Sequence, residues 1–245
     1  QTIEGQWRDD MDWSNDRNPA YIKESEQNIR IPKPVAVGGD HQHGYAYQET
    51  SVGITGVACN GVPIYNFWRD TDRNDAMDQE VFDSCCGHPN QNSYHYHKYP
   101  ACLKLLSDSD RTEQQIADDL DADLQNNVHS PLLGYMLDGH PIYGPVGYRD
   151  VSETEVVILR SSFTGADDSN GNPGFVEYSG DLDKCNGIFS KTPEYPHGVY
   201  HYVFSIEADG TDLTQKTVRR TLNPLYGYDD AVYYYGTTVD TQYDA

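Results

Sequence analysis

The sequence predicts a mainly β protein: a single sandwich- or barrel-like domain built from two degenerate pseudo-repeats, with two short accessory helices. Three observations carry this. Short runs with β character are separated by clusters of Gly, Pro, Asn and Asp, the punctuation of an all-β chain. Twenty Tyr against six Phe favour half-wet strand faces, where a ring packs and its hydroxyl finds a partner. Finally, Asn60-Gly61-Val62-Pro63-Ile64-Tyr65-Asn66 returns as Asp138-Gly139-His140-Pro141-Ile142-Tyr143-Gly144. Each copy leads, after an insert, to an aspartate, a cysteine and alternating Tyr and His: Asp83, Cys86 and Tyr94-His95-Tyr96-His97, then Asp183, Cys185 and Tyr200-His201-Tyr202. A period of about 80 residues is too long for a solenoid, so the copies are read as two halves of one β domain.

Taken in order, residues 1–30 are polar and read as an irregular surface arm, and 31–245 as the β domain, with pseudo-repeats at about 50–105 and 129–206. Strands are expected at 35–37, 52–58, 94–97, 132–137, 156–159 and 199–206. Helices are expected at 75–82 and at 112–125, where Ile116, Leu120 and Leu124 recur every fourth residue behind a Thr112 cap. The loop from Gly165 to Asn172 is rich in oxygen ligands and is a possible calcium site on the surface. It lacks the Glu of an EF-hand loop, which favours a solvated turn.

Thirty-nine acidic and seventeen basic side chains give a formal net charge of −22. Nucleic-acid binding depends on Lys and Arg neutralising phosphates, and anionic membranes repel such a field, so neither is an expected partner. No apolar run approaches the roughly 18 residues needed to span a bilayer. The apolar content of 37% is enough to separate this chain from disordered acidic ones. It begins at Gln1, and removal of a signal peptide is the expected cause.

Cys59, Cys85, Cys86, Cys102 and Cys185 lack the paired spacings of a zinc knuckle. Two disulfides and one spare thiol are expected. Vicinal Cys85 and Cys86 cannot easily bond each other, so one of them closes the short loop to Cys102. For Cys185 the candidates are Cys59 and the unused vicinal cysteine.

The chemistry is expected to lie with nine histidines. Side chains at i and i+2 of a strand share a face, so His95 and His97 project together as half of a metal site. Imidazole suits copper or zinc, and His88, His129 and Asp138 are the nearest suppliers of further ligands in sequence, of which the two histidines are taken. His41 and His43 repeat the spacing, with no assigned role, while His140, His197 and His201 are read as structural. A nucleophile elbow and a phosphate-binding glycine loop are both absent. A Tyr/His elimination on a uronic acid polymer ranks low against so negative a chain.

The ordered blocks resemble the YHYH-domain proteins, named for the run that stands here as Tyr94-His95-Tyr96-His97. Similar blocks are Asn60 to Asn66, Phe82 to Cys85, Gly87-His88-Pro89, Pro100 to Leu103, His129 to Tyr135, Asp138 to Pro145, Gly180 to Asp183, Asn186 to Phe189 and Thr192 to Pro196. The likeness spans roughly residues 50–230 and departs from the pattern at Leu222 to Tyr228. It implies a secreted or cell-surface domain. Together these readings give the expectation of a secreted protein holding copper or zinc through His95, His97, His129 and His88, with metal-dependent activity only if a coordination position is open. The competing expectation is an acidic, Tyr-rich matrix or adhesive protein that binds an extracellular polymer, a mineral or its own copies.

Overall fold

The computed structural model describes residues 28–32, 47–49, 52–66, 68–71, 76, 80–83, 85–90, 93–100, 102–105, 113–167, 173–206 and 226–228. Among them the chain is mainly β. Eight strands form one mixed sheet: β2 (Ile54–Ala58), β3 (Pro63–Tyr65), β4 (Gly87–Pro89), β5 (Tyr94–Tyr96), β6 (Leu132–Met136), β7 (Pro141–Tyr143), β12 (Gly187–Ser190) and β13 (Val199–Val203). Their order is β12-β13-β7-β6-β2-β3-β5-β4, so the sheet is open, with β12 and β4 as its edges. Three two-stranded ribbons accompany it: β1 (Tyr47–Glu49) with β14 (Tyr226–Tyr228), β8 (Val146–Gly147) with β9 (Val157–Ile158), and β10 (Phe163–Asp167) with β11 (Pro173–Phe175).

The sequence repeat reappears as a pseudo-twofold within the large sheet. β2 and β6 pair antiparallel at the centre, Gly56 opposite Met136 and Ala58 opposite Gly134. On each side the same series follows: an antiparallel hairpin (β2-β3, β6-β7), a parallel neighbour (β5, β13), then an antiparallel edge (β4, β12). Even the register irregularity recurs, between Ile54 and Gly56 in one hairpin and between Leu132 and Gly134 in the other. The hairpins turn through Asn60-Gly61 and Asp138-Gly139, whose glycines take φ of 85° and 91° where any other residue would be strained. In both, the side-chain oxygen before the glycine accepts a backbone N–H two residues on, from Val62 to Asn60 and from His140 to Asp138.

A second matching device stands before each edge strand. Asp83 Oδ1 accepts the N–H groups of Cys85 and Gly87, and Asp183 Oδ1 those of Cys185 and Gly187. The other carboxylate oxygen takes a tyrosine hydroxyl, from Tyr94 at 2.6 Å and Tyr200 at 2.9 Å. The turn between them passes through a left-handed residue, Cys86 in one half and Asn186 in the other. Both tyrosine rings lie over the glycine opening the edge strand; a Cβ on Gly87 would fall 2.3 Å from the Tyr94 oxygen, and one on Gly187 2.2 Å from that of Tyr200. Tyrosine thus serves here as buried packing with a polar anchor.

Helix α1 (Cys102–Leu105) follows β5, and α2 (Glu113–Gln125) precedes β6. Leu120 of α2 enters the core with Tyr94, Tyr96, Ile142, Tyr200, Tyr202 and Phe204. Lys104 Nζ joins the helices, 2.6 Å from Asp123 Oδ2 and donating to the Asp119 carbonyl. The end of α2 is a Schellman cap: Asn127 is left-handed, and the N–H groups of Asn127 and Val128 donate to the carbonyls of Leu124 and Asp123. The Asn127 amide then donates to the Thr154 carbonyl and accepts from Val156 N–H, which fixes where the chain leaves toward His129.

Several expectations fall outside the described residues: the 1–27 part of the arm, the 35–37 strand, the Thr112 cap and residues 168–172 of the acidic loop, whose flanks form the β10-β11 ribbon. Of the 75–82 helix, Ala76 is helical and accepts the N–H of Glu80, while residues 80–82 have no regular structure. The expectation of two disulfides is corrected. Cys85 bonds Cys102, while Cys59, Cys86 and Cys185 are thiols. Cys185 occupies the place in its half that Cys85 holds in the other, beside the opposite edge of the sheet. Breaking the bridge with Cys85→Ser and Cys102→Ser together should cost about 3 kcal/mol, the order expected for closing a loop of this size, read as a lower midpoint in urea unfolding. An unchanged midpoint would show that the bridge contributes nothing.

Candidate metal centre

His88 and His95 are brought together by the β4-β5 ladder, in which they are directly paired. His97 follows two residues after His95, on the same face. One nitrogen from each imidazole lies within 4.8 Å of the others, and the three residues are 1–2% exposed. Their ring centroids are 4.5, 4.7 and 5.2 Å apart.

Backbone groups fix how two of these rings are presented. His95 Nδ1 lies 3.1 Å from the Ser93 carbonyl and His97 Nδ1 2.5 Å from the Asn66 carbonyl. A carbonyl accepts only, so each Nδ1 carries the proton and each Nε2 presents its lone pair. Those two Nε2 atoms face each other at 2.9 Å. Two neutral imidazoles so arranged set lone pair against lone pair, and the contact becomes favourable only with a cation between them, a shared proton or a metal ion. At a metal–nitrogen distance of roughly 2.0–2.1 Å the observed separation subtends about 90° at an ion, and about 0.4 Å of opening gives the tetrahedral angle.

The third ring, His88, has its Nδ1 3.6 Å from Glu80 Oε2. Glu80 is itself buried, and its other oxygen lies 3.7 Å from Arg69 Nε. A carboxylate behind an imidazole is a recurrent support for metal-ligating histidine. The surroundings are aromatic: Tyr65 stacks on His95 at 4.0 Å, and Phe82 lies 5.1 Å from His88 with Lys98 Nζ over its ring, 4.8 Å from the centroid.

A family model described as YHYH protein matches residues 35–219, most of the chain. The chain belongs to the YHYH family. No curated protein and no solved structure matches it. The run that names the family is therefore also the run that brings two of the three converging imidazoles into the YHYH fold here, His95 and His97.

The fourth histidine expected as a ligand lies elsewhere in this YHYH chain. His129 packs in the other half, with ring centroids 5.2 Å from Tyr143, 5.6 Å from Tyr148 and 6.3 Å from His201. Burial pushes its imidazole below the ordinary value, and pushes His201 down to about 3, so both stay neutral. His140 has a structural place, its Nδ1 3.1 Å from the Tyr200 carbonyl, and His197 is exposed. His41 and His43 lie outside the described residues. Asn66, Tyr65, Phe82 and Glu80 carry supporting roles that no motif announced. The signal available for Tyr65 was its place in the repeated Pro-Ile-Tyr triplet, which sets it beside His95 as Tyr143 is set beside His201.

Proposed function

We propose that this protein is a secreted metal-binding protein that holds one copper or zinc ion through His88, His95 and His97. The observation that carries the reading is the pair of Nε2 atoms facing at 2.9 Å while both Nδ1 atoms are committed to carbonyls. Neutral nitrogen donors favour copper or zinc over magnesium or calcium, which take oxygen. Three protein ligands leave a coordination position in a tetrahedral ion, and that position is where any metal-dependent activity would reside. The ligands are nearly sealed from solvent, with Tyr65 and Phe82 beside them, which supports a holding role above turnover of a large substrate. Secretion is supported by the Cys85–Cys102 bridge, since such bonds persist in oxidising compartments. The charge of −22 supports a cationic or mineral partner outside the cell and draws metal cations toward the site.

Elemental analysis of protein purified without added metal tests the reading. About one equivalent of copper or zinc is expected, falling below about a tenth in His95→Ala with His97→Ala. Less than about a tenth of an equivalent in the parent protein, unchanged in that variant, would overturn it.

A further inference from the structure

The three imidazoles of the metal centre lie inside one covalent loop. In chain order Cys85, His88, His95, His97 and Cys102 follow one another, and the Cys85–Cys102 bridge, with a sequence separation of 17, encloses every ligand. Cys85 stands just before β4, which carries His88, and Cys102 opens α1, just after the run that carries His95 and His97.

Without a cation this edge hairpin works against itself. Three imidazoles are buried in it, and the facing Nε2 atoms of His95 and His97 set lone pair against lone pair. Its hold on the sheet is slight: β4 is an edge strand beside β5, and β5 meets β3 in register at Ile64 and Tyr96. Edges of this kind open locally at lower cost than the whole domain unfolds. The bridge opposes such opening, because joining the two ends of the loop removes many of the arrangements that an opened segment would gain.

The other half of the sheet is a natural control. There Ile188 stands for His88 and Val203 for His97, so the ligand set is absent, and Cys185, in the place of Cys85, is a thiol. Its inner strand β13 meets β7 at two positions, Tyr202 with Ile142 and Val203 with Tyr143. The fold itself therefore does not demand a bridge at this place. The half that has one is the half that crowds three imidazoles at its edge.

We propose that the Cys85–Cys102 bridge is a redox gate on the metal centre: when oxidised it holds His88, His95 and His97 together for the ion, and when reduced it lets the edge hairpin open and the ion leave. The gate rests on the three-histidine reading and adds the regulation of that centre. The bridge forms when the two thiols pass two electrons and two protons to a disulfide oxidant, which leaves as a dithiol. The centre is thus complete only where such oxidants prevail, and the chain carries little metal in reducing surroundings. The coupling is reciprocal: the factor by which the bridge tightens metal binding is the factor by which bound metal favours the bridge.

Zinc affinity, read by competition with a chromophoric chelator, is compared between the parent and Cys85→Ser with Cys102→Ser. The variant is expected to bind about tenfold or more weakly. Gly139→Ala, which strains the left-handed turn of the other half, should lower the urea midpoint and leave zinc affinity unchanged, so that a gate is told from a general loss of stability. A second measurement needs no cysteine variant and keeps the test valid if that variant does not fold. Cys85 and Cys102 are 5% and 7% exposed, so a water-soluble phosphine reaches the bridge only when the hairpin opens. The phosphine attacks one sulfur and expels the other as a thiolate; water then frees the first as a thiol and leaves phosphine oxide. Alkylation of the denatured chain counts the outcome, three thiols before reduction and five after. Saturating zinc should slow reduction of the parent about tenfold or more, and should have no effect on the rate in His95→Ala with His97→Ala. Equal zinc affinity with and without the bridge overturns the gate, as does a zinc-binding parent whose reduction zinc does not slow. Failure of the three-histidine reading looks different: the bridged parent takes up no zinc, or its uptake is indifferent to His95→Ala with His97→Ala.

Discussion

Gly134→Ala is expected to abolish folding. A Cβ there would fall 2.3 Å from the Val57 carbonyl oxygen and 2.8 Å from Ala58 Cα, both backbone atoms of β2 that cannot rotate aside. The contact lies where β2 and β6 join the two halves of the sheet, so relieving it means separating central strands. Overpacking of this kind exceeds the usual 1–3 kcal/mol and is expected to consume most of a typical stability of about 5–15 kcal/mol. Far-UV circular dichroism and the urea midpoint read the effect. Gly61→Ala is the informative contrast, because its Cβ would meet nothing within 4 Å and only the left-handed φ of 85° is strained. Its cost should be about 1–2 kcal/mol. Equal midpoints for the two variants would show that close approach at the centre is not what Gly134 provides.

The second large effect is expected at Asp183. Its carboxylate takes the N–H groups of Cys185 and Gly187 and the hydroxyl of Tyr200, so Asp183→Ala removes the shared acceptor of three donors in one step. At about 1–3 kcal/mol for each buried donor, a loss of about 3–9 kcal/mol is expected. Asp183→Asn keeps the shape and an accepting oxygen, and should stay within about 1 kcal/mol of the parent at neutral pH. The pH dependence separates them further. Burial is the main influence on Asp183 and raises it to about 6, above the ordinary carboxyl value, despite the bonds that favour its charge. The native state therefore holds this proton more tightly than the unfolded chain. Its contribution to stability is full below about pH 4 and is lost as pH rises through about 6. That portion of the pH profile should vanish in Asp183→Asn. A profile identical in parent and variant would place the titration elsewhere.

The part of the fold legible in sequence was the part written in local pattern. The Asn60-Gly61 and Asp138-Gly139 turns, the strand ending in Tyr96 and the matching order of Asp83, Tyr94 and His95 with Asp183, Tyr200 and His201 all follow from short-range chemistry. His95 and His97 were legible as a pair because strand period sets them on one face. His88 joined them through cross-strand pairing between neighbours in the chain. His129 was not assignable in this way: its neighbour His201 is seventy-two positions away, reached because β13 lies parallel beside β7. The Asn66 carbonyl that holds His97 was invisible for another reason, since every residue carries a carbonyl and sequence does not say which one faces an imidazole. The disulfide count failed on long-range geometry too, and the repeat as read from sequence matched Cys185 with Cys86, where the structure sets it in register with Cys85.

The β2-β6 contact has the geometry of a two-fold dimer interface, in which like meets like across an axis. Between two identical chains, any substitution on that frame is made twice, and the two sites beside it stay copies of each other. Inside one chain the same substitution is made once. That asymmetry lets His88 and His97 exist opposite Ile188 and Val203, and lets one half accept a loop bearing Glu194 while the other keeps a short turn. Covalent linkage of the halves thus converts a symmetric scaffold into two independently adjustable surroundings, each free to be tuned without cost to its twin.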